Sequence, residues 1–130
     1  MQLIDNALLD QISGEAQASA RLRMNFNFHN SAMAPSQRLI NALEPGTSLP
    51  IHRHRHTQET YILLRGRVRV LFYNSDKSLK EEVELDSLQG RYGINIPAGQ
   101  WHTLMVLESG SAIFETKDGP YLPMDAEDLL

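Results

Sequence analysis

Between Gly46 and Gly66 the chain spaces His52, His54 and Glu59 at intervals that few backbone shapes can use together. Residues two apart on a strand point the same way, so His52 and His54 can share one ion while Arg53 points away. Glu59, on the returning strand, adds a carboxylate that offsets most of the charge of a divalent cation. Further along, Pro97-Ala98-Gly99-Gln100-Trp101-His102 supplies a turn and one more histidine. The predicted metal ligands are therefore His52, His54, Glu59 and His102. His56 complicates the pattern, because on an unbroken strand it shares their face and offers His54 and His56 as an alternative pair. Glu59 would then follow the second histidine by only three residues. His52 and His54 are preferred, and His56 is placed at the rim as a substrate-pocket candidate.

The rest of the chain reads as short strands divided by turn residues. Asp5 to about Ala18 is predicted as an amphipathic helix, with Asp5 as cap and Leu8, Leu9, Ile12 and Ala16 on one stripe. Next comes a predicted strand in which Leu22, Met24, Phe26 and Phe28 alternate with Arg21, Arg23, Asn25, Asn27 and His29. The polar face of that strand meets either solvent or a polar pocket. Strands are expected over Arg38 to Leu43, Tyr61 to Tyr73 with a break at Gly66, and Leu79 to Leu85 after the Asn74–Ser78 turn. Three more follow over Tyr92 to Ile96, His102 to Leu107 and Ser111 to Thr116. Such spacing favours an all-β barrel or sandwich. The expected organisation is a helical extension over residues 1–20, a barrel over 21–118 and a tail over 119–130.

The two histidine segments resemble the paired signature motifs of the cupin superfamily. Gly46, His52, His54, Glu59 and Gly66 meet every position of the first motif. Pro97, Gly99 and His102 fit the second, which departs from the pattern at Arg91, where a glycine is expected, and at Val106 in place of its closing asparagine. The resemblance implies a double-stranded β-helix, or jelly-roll barrel, with a short N-terminal helix in front. Nearly the whole chain is similar to the WbuC-type cupin metalloproteins. The segments that carry this are Arg23 to His29, Gln37-Arg38, Pro50 to His54, Leu64-Arg65-Gly66, Trp101-His102-Thr103 and Glu115 to Tyr121. That family is associated with bacterial O-antigen and surface-polysaccharide gene clusters, which implies a role in lipopolysaccharide biosynthesis and a sugar-derived or other small anionic substrate.

Composition narrows the chemistry. With 130 residues and 42% apolar content, the chain is sized for one domain with a single core. It has no cysteine, so any metal sits on nitrogen and oxygen donors, a set that suits Fe, Mn, Ni or Zn. Twelve basic against sixteen acidic residues leave a net charge of −4, which argues against nucleic acid as a partner. No apolar run is long enough to span a bilayer, and the expectation is a cytoplasmic protein with no membrane partner. Arg53, Arg55, Arg65, Arg67 and Arg69 form either a basic rim for an anionic substrate or a solvated strand face.

Glu115 and His29 are the candidate acid–base residues, Glu115 facing either the cavity or the outside. Tyr61, Tyr73, Asn25 and Asn27 are candidates for lining a sugar-sized pocket, and Trp101 is expected to point away from His102. The sequence supports a small metalloenzyme, isomerase-like rather than a dioxygenase. Its alternatives are a non-catalytic module that uses the ion to hold a sugar or carboxylate, and a purely structural ion. Pairing into a homodimer through exposed strands is a further expectation.

Overall fold

Asp5 begins the first element: its side chain accepts the Leu8 amide at 3.0 Å and caps a helix, α1, over Asn6–Ala18. That cap is worth about 1 kcal/mol, whereas burying each of Leu8, Leu9 and Ile12 contributes about 2 kcal/mol. Packing therefore holds the helix. In this computed structural model, which describes residues 1–130, the remaining elements are eight strands and two short 3-10 turns, Ser87–Gln89 and Ala126–Asp128. The strands are β1 Arg23–Asn27, β2 Ser36–Leu43, β3 Glu59–Arg65, β4 Arg67–Tyr73, β5 Leu79–Asp86, β6 Gly93–Ile96, β7 Trp101–Val106 and β8 Ser111–Asp118.

The strands form two antiparallel sheets, one ordered β1-β2-β8-β3-β6 and the other β5-β4-β7. Alternation gives each strand of the larger sheet two destinations. Ile40, Ala42 and Ala112 face outward and meet α1, joined by Met24, Phe26 and Phe114. Leu43, Tyr61, Leu63 and Ile113 face inward and meet Val68, Val70, Phe72, Leu104 and Val106 of the smaller sheet. The apolar face of β1 thus lies under the helix, and its polar face, with Asn25 and Asn27, looks into the barrel. Asn25 and Asn27 line the cavity and stay exposed, so that face meets an open, solvent-accessible pocket.

Gly66 turns β3 into β4 with a φ of +83°, and a Cβ there would lie 2.7 Å from the Ser111 Cα. Glycine is the residue that satisfies both conditions. β1 is shorter than its alternation predicts because Leu22, at φ 56°, takes the left-handed conformation that stops extended pairing before Arg23.

The histidine strand expected from the spacing does not form. Residues 44–58 run as a loop apart from His52, which bridges both His102 and Leu129. There the His52 amide donates to the His102 carbonyl at 3.0 Å, and the His102 amide returns a bond to the His52 carbonyl at 2.8 Å. Pro50 has no amide to extend the pairing. The tail fixes the loop from outside: Leu130 donates from its backbone to Ile51, Arg53 donates from its backbone to Asp128, and Arg55 is held by Asp125, Glu127 and Asp128. Residues 126–128 form one short 3-10 turn.

Candidate metal centre

The four predicted ligands come together. His52, His54, Glu59 and His102 each offer a donor atom, and all four lie within 4.8 Å of one another. Donors bound to one ion at about 2.0 to 2.2 Å stand roughly 3 to 4 Å apart, so only small closing movements separate this cluster from a coordination sphere. Glu59 begins β3 in the larger sheet, His102 lies in β7 of the smaller one, and the loop brings His52 and His54 between them.

Backbone carbonyls orient two of the imidazoles. His52 Nδ1 lies 3.0 Å from the Pro50 carbonyl oxygen, and His102 Nδ1 lies 2.8 Å from that of Gln100. A ring that donates from Nδ1 presents the Nε2 lone pair to a cation. His102 also places Nε2 2.8 Å from Glu59 Oε1, with His54 Nε2 at 3.4 Å from the same oxygen. His102 is 1% exposed, so this buried ring meets an acceptor at each nitrogen. A neutral imidazole has one proton for two acceptors; a second proton or a cation must satisfy the other. The donor set therefore fits a divalent metal.

The surroundings favour the ligating protonation states. Burial, followed by the charge of His102, lowers the His52 pKa to about 4, which keeps it neutral at physiological pH. Burial pushes the Glu59 carboxyl up, but hydrogen bonds and charge from His102 and His54 outweigh it and hold Glu59 below the usual carboxylate range. Tyr61 Oη donates to Glu59 Oε1 at 3.0 Å, and burial raises the phenol well above its ordinary value, so it stays a donor.

These residues close one end of a cavity of about 600 Å³. Glu115 points into it, which resolves its direction. Burial and then the charge of Glu59 raise the Glu115 pKa to about 7, although Asn41 Nδ2 donates to Glu115 Oε1 at 3.2 Å. Cross-strand register places Asn27, Leu39, Glu115 and Tyr61 in one inward-facing row, and the following pair sets Lys117 opposite Glu59. Asn25 and His29 also line the cavity, His29 accepting the Arg38 amide at Nδ1.

Other candidates fall elsewhere. His56 does not reach the cavity: the chain bends at Arg55 and His56, and the ring borders a separate small pocket beside Thr57 and Asp118. Tyr73 is also outside, on the strand that pairs with Trp101. Trp101 points away from His102, with the Arg53 guanidinium carbon 4.5 Å from its ring centroid. Of the two readings of the arginine cluster, the anion-binding rim fails, because Arg53 and Arg55 bind tail carboxylates, Arg65 binds Asp10, and Arg67 binds Glu84 and Glu108. Arg21, Arg23 and Lys117 line the cavity instead. The period-2 pattern of β1, already visible in the sequence, was the signal for Arg23, which shares the face of Asn25 and Asn27, whereas Arg21 lies before the left-handed Leu22 and outside the strand.

Two facing antiparallel sheets with a His-His-Glu-His cluster on the inner wall define the cupin jelly roll, here with a candidate metal site. KdgF from Halomonas sp. superposes with a TM-score of 0.58 at 14% identity, covering 74% of this chain and 79% of that one. A cupin-2 domain containing protein from Shewanella frigidimarina gives 0.57 at 19% identity, covering 74% and 80%. The capsular polysaccharide assembling protein CapF from Staphylococcus aureus gives 0.57 at 18%, covering 84% of this chain but 30% of its own length. At these identities the likeness is one of fold. The chain belongs to the family described as Domain of unknown function (DUF6016), whose model matches residues 4–85. No curated protein matches it.

Proposed function

We propose that this protein is a WbuC-type cupin metalloenzyme that binds one divalent ion, Fe, Mn, Ni or Zn, through His52, His54, Glu59 and His102. Its substrate is a sugar-derived or other small anionic molecule of bacterial surface-polysaccharide metabolism, including O-antigen and lipopolysaccharide synthesis. The observation that carries this reading is the buried His102 ring, held between two acceptors at the end of a cavity large enough for a small-molecule ligand. Support for the subfamily comes from the segments Arg23 to His29 and Glu115 to Tyr121, both of which contribute side chains to that cavity.

A divalent ion in such a site supplies Lewis-acid polarisation of a bound oxygen. The chain itself supplies the proton chemistry. Glu115 gains and loses a proton near neutral pH, as a general base requires, and Asn41 orients its carboxyl group. His29 stands at the cavity wall as a second acid–base group. A proton-transferring carboxylate favours isomerisation over reaction with dioxygen. The same reading places the protein in the cytoplasm as a homodimer joined through exposed strand edges, which light scattering on the purified protein measures. No helix of the chain is long and apolar enough to cross a membrane.

The test is a screen of sugar phosphates, nucleotide sugars and uronates with protein reconstituted separately with each ion. The expected result is turnover of one class that is lost in Glu115→Gln with binding retained. Binding without turnover for every ion would identify a non-catalytic sugar- or carboxylate-binding module instead.

A further inference from the structure

The chain is acidic overall, with a net charge of −4, yet its cavity sets three cations against the two carboxyl groups of Glu59 and Glu115. Arg21, Arg23 and Lys117 line it, and none of them forms an ion pair, whereas Arg53, Arg55, Arg65 and Arg67 are all matched by carboxylates of the same chain. Lys117 stands opposite Glu59 in the strand register, at the metal end. Arg21 and Arg23 stand at the other. Arg23 precedes by four residues the Asn27 row that holds Glu115 and Tyr61. At about 3.3 Å per residue that separation is roughly 13 Å along the strand.

Hydrogen-bonding side chains fill the interval. Asn25 and Asn41 are register partners on the inward face, and Asn41 Oδ1 is buried with no partner. A small turn of the Asn41 side chain would present this unpaired acceptor to a ligand hydroxyl. Leu39, Leu49 and Leu104 supply apolar wall between the amides, as the carbon face of a sugar ring requires. Arg23 Nη1 donates to the Ser48 carbonyl at 2.8 Å, so its guanidinium is fixed in place, while Arg21 makes no side-chain hydrogen bond.

We propose that Arg21 and Arg23 form an anion subsite at the end of the cavity remote from the metal ligands. It takes the carboxylate or phosphate of an extended polyhydroxylated ligand whose hydroxyls lie along Asn25 and Asn41. The ligand's uncharged end then faces His52, His54, Glu59 and His102. This assignment rests on the cavity being the substrate site proposed above. The substrate class becomes a sugar carrying its one anionic group away from the reacting end. Two positive groups side by side, with no carboxylate between them, suit such an anion, and a planar guanidinium binds either oxyanion in a bidentate manner.

Calorimetric titration with glucose 6-phosphate, glucuronate and glucose tests it, using protein carrying the metal with which it purifies. One or both anions are expected to bind at least tenfold more tightly than glucose; the tighter of the two identifies phosphate or carboxylate as the group recognised. Arg21→Gln, which breaks no side-chain hydrogen bond, should weaken the anion at least threefold. Arg21→Gln combined with Arg23→Gln should weaken it at least tenfold, with metal content and circular dichroism unchanged. Equal binding of glucose, no binding of either anion, or variants that bind like the wild type would overturn the subsite. Repeating the titration on metal-stripped protein separates the two readings. Anion binding that survives stripping and disappears in the double variant supports the subsite even if no metal is ever found.

Discussion

Tyr61 shows how a residue outside the ligand set controls it. Its hydroxyl holds Glu59 Oε1, the same oxygen approached by His54 and His102. Tyr61→Phe removes that bond without emptying the core, and losing a hydrogen bond that orients a metal ligand costs about tenfold in metal affinity. Competition against a fluorescent chelator measures this, and unchanged affinity would show that Tyr61 does not position the carboxylate. Glu115 carries a prediction in pH. Its pKa rises from 4.5 to about 7, so the folded metal-free protein keeps a proton that the unfolded chain has released. Stability should therefore fall as pH rises from about 4.5 to 7 and then level off, and Glu115→Gln should flatten that slope. Denaturant titrations across the range decide it, and an identical slope in the variant contradicts the assignment. The ligands were legible from the motif likeness and the turn before His102, although the strand that made two-residue spacing meaningful does not form. The orienting carbonyls of Pro50 and Gln100 lie only two residues from their rings, but which backbone turn presents them, and which cations the cavity gathers, follow from packing that the residues alone do not specify.

Among the elements, the loop that carries His52 and His54 is the one the sequence misrepresents. Alternation predicted a strand, but bridges from His52 to His102 and Leu129 and a tail of charged residues determine its path, and the same path carries His56 outside the cavity. The helix, the Asn74–Ser78 hairpin and the Gly66 turn were legible because each has a cap, a turn or a glycine that acts over a few residues. The tail gives no such signal; its role emerges only from Arg55 meeting Asp125, Glu127 and Asp128. Solvent screens exposed ion pairs, so Arg55→Ala should move the melting temperature little. Removal of residues 125–130 also deletes the backbone bonds to Ile51 and Arg53. It is expected to raise amide exchange across residues 51–56 and to speed metal release several-fold. Unchanged exchange there would show that the loop holds its shape without the tail.

At the scale of the whole molecule, the candidate ion ties two sheets that otherwise meet through side-chain packing. Glu59 comes from one sheet, His102 from the other, and the loop bridges them. The barrel was legible from strand spacing and motif likeness, whereas the polar lining of its interior follows from α1 covering the apolar face of β1. A ligand that binds only the folded state raises stability by mass action, so metal should raise the melting temperature and chelator should lower it. The most direct measurement is elemental analysis of protein purified without chelator or added metal, made in parallel on His52→Ala and His102→Ala. About one divalent ion per chain in the wild type, with little or none in either folded variant, is the predicted result. Full retention of metal by both variants would contradict the assignment of the site.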